Sequence, residues 1–393
     1  MYTANYIIAD QYVAMKGNKF FLLKLSHCDI KLIMDYLIVI PALNPKSDLT
    51  DYVDSLLANG YSNILVVDDG SREDCSFIFD TINAKDGCRV YKHDVNLGKG
   101  RSLKDAMNIY MSDYRDSLGG MITVDSDGQH VVEDVAKIAS AMSANNNSLI
   151  MGARDFSLDN VPWKSRFGNK CTVTALKLFI GGNISDTQTG LRGIPNNLID
   201  RFRNLPGDRF EYETVMLIDA ISTGCDIIEV PIRTVYIDNN SETHFHPVID
   251  SFKIYKVILG TFFKYILSSL SSFLIDYGLF CGLFYVLSAM SWSQSRSIWV
   301  STVAARILSS LFNYSVNKKI VFNSSKGPVT LIMYYLLCVI QMAASAGLVS
   351  LVSLSGTVIV QLAKIIVDTL LFLISYRIQR KYIFGTASKK RNK

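Results

Sequence analysis

The octapeptide TVDSDGQH, residues 123–130, ends an apolar run with two aspartates one residue apart and a glutamine two positions further on. Asp125, Asp127 and Gln129 alternate with Ser126 and Gly128, so three oxygen-bearing side chains can converge on one point. Hard divalent cations take oxygen ligands, and Mg2+ is usually held by one or two carboxylates plus substrate phosphates. Such an ion neutralises charge on a departing diphosphate without a proton. The pattern therefore predicts a site for Mg2+ or Mn2+ and a nucleotide-diphosphate substrate.

The elements that must position these residues are legible around them. YLIVIP (36–41) and NILVVDDGS (63–71) read as short buried strands, and CRVYKH (88–93), GGMITVDSDG (119–128) and SLIMGAR (148–154) as further strands. Helical patterns fall near 51–57, 98–111 and 131–142, and a further strand lies within 226–236. Strands alternating with helices predict βαβ units and a parallel-rich sheet, whose ligands sit beyond the carboxyl ends of the strands. Asp68, Asp69, Asp125, Asp127 and Arg154 all fall at those ends. NLGKGRS (96–102), with Lys99, is glycine-rich and opens a helix, so its N–H groups favour anions. It lacks the GxxxxGK[ST] pattern, which argues against an ATPase.

The second half of the chain has a different character. The sequence is 49% hydrophobic, and from about Tyr265 onward long apolar runs dominate. Four spans are drawn at about 265–289, 297–316, 329–351 and 356–376, each near the ~20 residues needed to cross the hydrocarbon core. Lys318, Lys319 and Lys326 lie between spans two and three, and Arg377, Arg380, Lys381 and KKRNK follow span four. Basic loops on one side put both termini and the globular region in the cytoplasm. Before the first span, Phe252, Tyr255, Leu259 and Phe262 recur at helical spacing with Lys253, Lys256 and Lys264 between them. That pattern suits an amphipathic helix at a membrane surface, over about 244–264. NYSVNKKIVF (313–322) and SYRIQRKYIF (375–384) match in pattern, so the membrane part reads as a duplicated two-helix unit. Arg306 and Asp368 occupy equivalent repeat positions and invite an interhelical pair, while Lys364 and Asp368 can pair within one turn.

Other features set bounds. A net charge of +5 gives no case for nucleic acid. The 7 cysteines contain no CxxC spacing, which suits reduced thiols rather than disulfides or a zinc site. Residues 1–33 lack clear periodicity and a secretory signal, and Met34, just before the first strand, is expected to be the functional start.

VIPALNP, VVDDGS, NLGKG, VDSDGQH, GAR, SRFGN and DTQTGLR occur here in an order that resembles inverting family 2 glycosyltransferases, most of all the dolichol-phosphate mannose synthase branch. The likeness covers about 36–245, and residues 260–385 resemble the GtrA-like four-helix membrane domain. The resemblance implies an α/β GT-A (Rossmann-like) catalytic domain over 34–243, an all-α transmembrane domain over 265–385 and a basic tail over 386–393. It implies transfer of a sugar from a nucleotide-diphosphate sugar to a polyprenyl (undecaprenyl or dolichyl) phosphate at a bacterial inner membrane.

By position, Asp125 and Asp127 would be the Asp-x-Asp pair, with Asp127 and Gln129 the direct metal ligands. Pro41, Leu43, Asp68, Asp69 and Lys99 would serve the nucleotide, and Gln188, Arg192 and Glu213 the sugar and acceptor side. Arg154 and Arg166 would hold the acceptor phosphate, assisted by Asn169 and Lys170. Pro45 stands where the family often has an acidic residue, and IDNNSETHF replaces the basic residues common after the last strand, leaving His244 as a possible phosphate contact. The alternatives are transfer to a polysaccharide or glycolipid, for which the Gln-x-x-Arg-Trp motif is absent, and a flippase or membrane anchor with a secondary transferase domain.

Overall fold

The computed structural model describes residues 11–16, 19–24, 36–158, 161–233, 249–354 and 360–385. His244, the IDNNSETHF segment and the 386–393 tail lie outside them. The chain divides into two compact units, Met1–Ile258 and Leu259–Lys393.

The first unit is built on a mixed sheet. An antiparallel hairpin, β1 (Gln11–Lys16) and β2 (Lys19–Lys24), comes from a stretch with no periodic pattern. β3 (Tyr36–Ala42), β4 (Ile64–Asp68), β6 (Gly120–Thr123) and β7 (Leu149–Ala153) follow the apolar runs, while β5 (Cys88–Lys92) is a largely exposed strand at the sheet edge. β8 (Arg192–Pro195) and β9 (Ile227–Pro231) complete a nine-stranded order β2-β1-β9-β7-β8-β6-β3-β4-β5. β3, β4, β5 and β6 are mutually parallel neighbours, as the sequence predicts. Among β3–β9, β8 is the exception, running antiparallel between β6 and β7. Its four residues, RGIP, carry neither alternation nor a long apolar run, so no pattern announces it.

Helices cover the sheet: α1 (Asp48–Ala58), α2 (Ser76–Asn83), α3 (Lys99–Ile109), α4 (Val132–Ala144), α5 (Trp163–Phe179), α6 (Asn196–Phe202) and α7 (Glu211–Thr223). α4 buries Val135, Ile138, Ala139 and Met142, spaced as one helical face, and α1 does the same with Leu49, Val53 and Leu56. Both faces join a core with Ile38, Ile40, Ile64 and Val66. Fully burying such a side chain is worth roughly 1.5–3 kcal/mol.

β3 pairs with β4 on one side and β6 on the other, so the strand order reverses beside it. A crevice beyond the strand ends is expected at such a reversal. Val124 N–H donates to Val39 O at 2.9 Å, so alternate positions of β3 face β6. Pro41 falls on that side, one step past the last β3–β6 pair, Val39↔Thr123. Its missing N–H therefore leaves no bond between these two strands unmade.

The second unit consists of helices. α8 (Ile249–Ala289), which begins in the last residues of the first unit and includes the described part of the predicted interface segment, is followed by α9 (Gln294–Val316), α10 (Val329–Leu354) and α11 (Val360–Ile378). Among the described residues, α8 and α10 are long and apolar enough to cross a membrane by length and composition. α9 and α11 each run into a π-helical turn, Asn317–Val321 and Gln379–Ile383, at equivalent places in the repeat. The expected Arg306–Asp368 pair is replaced by pairs inside each half. Arg306 lies 3.4 Å from Asp276 across α8 and α9, and Lys364 lies 2.9 Å from Asp368 along α11. Serines favour this partition, because Ser309 donates to Asp276 at 2.8 Å and Ser345 to Asp368 at 2.6 Å.

Candidate active site

Strand ends deliver the acids. β6 stops at Thr123, whose hydroxyl donates to Gly190 O at 2.7 Å, and the 125–129 turn begins two residues later. Asp125 Oδ1 meets Lys99 Nζ at 2.6 Å, and Lys99 also reaches Glu213 Oε2 at 3.0 Å. A cation from the first turn of α3 thus bridges an acid from β6 and an acid from α7. Gly98, at φ +104, lets the chain enter α3, and a Cβ there would lie 2.4 Å from Asp208 O. The floor beneath Asp125 is Gly190, where a Cβ would stand 2.2 Å from Oδ2.

The two aspartates are electrostatically unlike. Burial opposes ionisation of Asp125, but Lys99 and His130 outweigh it and hold that carboxyl well below the usual range. Desolvation likewise works against the Lys99 charge, and Asp125 and Glu213 overcome it and push the ammonium upward. Asp127 is pushed up, first by desolvation and then by the Asp125 charge, even though the residue as a whole is exposed. Its carboxylate accepts the Gln129 N–H at 3.1 Å.

Oxygen donors on one short turn, with one carboxyl destabilised as an anion, fit a hard cation. Among the described residues no group of three His, Cys, Asp or Glu could hold a metal ion. Asp125, Asp127 and Gln129 would therefore need substrate oxygens to complete a coordination shell.

Several expected binding residues turn out to be committed to the protein itself. Asp69 Oδ1 accepts the Leu97 N–H and Oδ2 the Gly98 N–H, at 2.9 and 2.8 Å, which pins the loop leading to Lys99. His93, unmarked in the sequence reading, links Asp69 (2.9 Å) to Asp105 (3.1 Å) behind that loop. Asp68 accepts the Ser71 N–H at 2.8 Å, and half-buried Pro41 and Leu43 lie at the adjoining end of β3. Arg192 is fully buried and donates to Thr189 O and Glu213 O at 3.0 and 2.8 Å, tying the turn under Asp125 to α7.

Arg154 leaves β7 into a bidentate pair with Asp186, Nε to Oδ2 at 2.8 Å and Nη2 to Oδ1 at 3.2 Å. Asp186 is fully buried and sits in the DTQTGLR motif, but only its neighbours Gln188 and Arg192 were singled out there. The 185–187 loop is held by Asn169, which donates to Ser185 O at 2.7 Å, and by Glu229, which accepts the Ser185 N–H at 2.7 Å. Gln188 is exposed beside it. Arg166 and Lys170 are exposed on α5, Arg166 donating to Leu158 O at 2.8 Å.

Residues 37–202 match glycosyl transferase family 2. Over 231 residues the chain is 31% identical to an uncharacterized protein of Methanocaldococcus jannaschii, covering 58% of this chain and 92% of that one. The chain belongs to glycosyl transferase family 2. Residues 264–384 match the GtrA/DPMS transmembrane domain, so this family 2 glycosyltransferase carries its own membrane part. It is 26% identical over 217 residues to the UDP-N-acetylglucosamine–dolichyl-phosphate N-acetylglucosaminyltransferase of Methanococcus voltae (51% of this chain, 85% of that one). It is 26% identical over 206 residues to the polyprenol monophosphomannose synthase of Mycolicibacterium smegmatis (50% and 76%).

Proposed function

We propose that this glycosyltransferase transfers a sugar, with inversion and with a divalent cation, from a nucleotide-diphosphate sugar to a polyprenyl phosphate at the cytoplasmic membrane face. The observation that carries the reading is the unequal state of the two aspartates. Asp125 is neutralised by Lys99 at 2.6 Å, whereas Asp127 is disfavoured as an anion and exposed, which suits an external cation.

Asp125, Asp127 and Gln129 would hold the cation, which when bound would neutralise charge on the departing nucleoside diphosphate. The chain's own residues do the rest. Lys99 fixes the Asp125 and Glu213 carboxylates. Arg154, oriented by Asp186, offers guanidinium hydrogen bonds to the acceptor phosphate, with Arg166 and Lys170 adding positive charge. A lipid phosphate, with a second pKa near ~6, is already an anionic nucleophile. No general base is required, unlike a sugar hydroxyl acceptor. In-line attack on the anomeric carbon inverts it. Named relatives that act on dolichyl and polyprenol phosphates support the acceptor class. Lys318, Lys319, Arg380 and Lys381 at one end of the helices support a cytoplasmic globular unit.

The test is incubation of membranes containing the chain with labelled UDP- and GDP-sugars and polyprenyl phosphate, with and without chelator. A labelled lipid that disappears on chelation is expected. Absence of product with every donor would overturn the reading.

A further inference from the structure

The sequence repeat becomes a symmetric seam in the second unit. Asn317 opens the first π-helical turn and Gln379 the second, and Asn317 Nδ2 donates to Gln379 Oε1 at 3.1 Å. The residues closing the turns also meet, Phe322 stacking on Phe384 with centroids 5.4 Å apart and planes inclined by 16°. Cross-contacts come in matched pairs. Tyr314 packs on Phe384 at 5.7 Å, and its repeat counterpart Tyr376 packs on Phe322 at 5.9 Å. The two turns therefore lie side by side about a local pseudo-two-fold axis.

Each turn carries two adjacent cations, Lys318–Lys319 and Arg380–Lys381. The inner one of each pair lies against the tyrosine one turn earlier. Lys318 Nζ stands 5.7 Å from the Tyr314 ring centroid, and Arg380 Nη1 donates to Tyr376 Oη at 2.9 Å. The outer ones, Lys319 and Lys381, are exposed. Lys326 adds a fifth cation by donating to Tyr382 O at 3.3 Å, across the two halves. Among the described residues, no ion pair joins any of these five to a carboxylate. Basic residues at helix C-termini complement the helix dipole, but that role requires neither the polar clamp nor the exchanged aromatic rings that hold the turns together.

We infer that the paired basic turns form a second phosphate site, in the membrane unit, that holds the headgroup of a polyprenyl phosphate. A phosphate monoester carries about −1.5 to −2 charge at pH 7, which suits four cations on two adjoining turns better than a singly charged phosphodiester does. The rings of Tyr314, Phe322, Tyr376 and Phe384 pack on one another, with Tyr376 and Phe384 fully buried, and so hold the two basic turns together. The choice of polyprenyl phosphate over other phosphate lipids rests on the proposed function.

The experiment uses full-length protein in detergent and native mass spectrometry, with undecaprenyl phosphate, phosphatidylglycerol and undecaprenol as probes. The test variant combines Lys318→Gln, Lys319→Gln, Arg380→Gln and Lys381→Gln. A charge-matched control combines Lys46→Gln, Lys92→Gln, Arg115→Gln and Arg203→Gln. Expected is one fewer undecaprenyl phosphate per chain in the test variant than in the wild type or the control, with no binding of undecaprenol. Equal occupancy in test variant and control overturns the inference, as does equally strong competition by phosphatidylglycerol. A wild type that binds this lipid through the turns yet labels it with no donor sinks the proposed function and leaves the phosphate site standing.

Discussion

Lys99 holds Asp125 at 2.6 Å and, through its remaining hydrogens, Glu213 at 3.0 Å, so a single ammonium neutralises acids from two separate elements. All three side chains are mostly buried. Removing one partner from such a cluster leaves uncompensated buried charge, which costs on the order of 3–5 kcal/mol.

Lys99→Met is therefore expected to lower the unfolding midpoint of the detergent-solubilised protein sharply at pH 7. The pH dependence follows from the direction of each shift. In the wild type the depressed Asp125 carboxyl stabilises the fold above the ordinary value of ~3.9, and that contribution is lost as the pH falls through its folded value. The raised Lys99 contributes below its ordinary value of ~10.4, and this is lost only as the pH rises through its folded value. In the variant, Asp125 loses this cation, so burial raises its carboxyl. The deficit should then shrink as the pH is lowered from 7 toward 4 and Asp125 takes up its proton. Intrinsic-fluorescence melts across that range measure it, and a deficit independent of pH would contradict the assignment.

What could be read in the sequence was burial and strand ends. Continuous apolar runs such as YLIVIP mark strands covered on both faces, and acids at the ends of two of them mark the crevice. Partner choice could not be read. Arg154 selects Asp186 and Asn169 selects the 185–187 loop only because β7, α5 and that loop meet in space, and no local spacing encodes the meeting. Asp69 shows the same limit, since an acid that caps a loop and an acid that binds a nucleotide look alike in one dimension. β8 escaped for a different reason, being four residues long with a glycine and a proline among them.

Asp127→Asn should abolish cation binding while leaving the Lys99–Asp125 contact intact. Loss of transfer of about 100-fold or more is expected if electrostatic stabilisation of the leaving group is removed, and chelation of the wild type should reproduce it. Because desolvation and Asp125 raise the Asp127 carboxyl, cation affinity should begin to fall, on acidification, at a pH above the ~3.9 of an ordinary aspartate. Mn2+ titrations followed by electron paramagnetic resonance read both effects. Unchanged Mn2+ affinity in Asp127→Asn would remove this residue from the site.

Asp186→Asn tests the acceptor side. Asp186 is fully buried and orients the Arg154 guanidinium through two hydrogen bonds. An amide keeps the shape but supplies one acceptor oxygen instead of two and no charge, so Arg154 loses its fixed orientation. The KM for polyprenyl phosphate should rise by about tenfold, the equivalent of one charge-assisted hydrogen bond, with the KM for the nucleotide sugar unchanged. A folded variant with both KM values unaltered would show that Arg154 does not touch the acceptor.

Gly190→Ala probes how tightly Asp125 is seated. The added Cβ would stand 2.2 Å from Asp125 Oδ2 and 2.3 Å from Oδ1, so the carboxylate must move. Its partner Lys99 is already anchored by Glu213, so the displaced aspartate cannot keep the 2.6 Å contact without dragging the first turn of α3 with it. A misplacement of about 1 Å in such a site costs on the order of 100-fold in rate. Gly60→Ala is the matched control. It has φ +90 and nothing within 4 Å of an added Cβ, so it carries backbone strain of about 1 kcal/mol without touching the crevice. Transfer assays on the two variants should separate them, Gly190→Ala losing activity at unchanged expression and Gly60→Ala losing only thermal stability. Equal activity in both would mean that the Asp125 position tolerates movement, and the clamp between Lys99 and Gly190 would then have no part in catalysis.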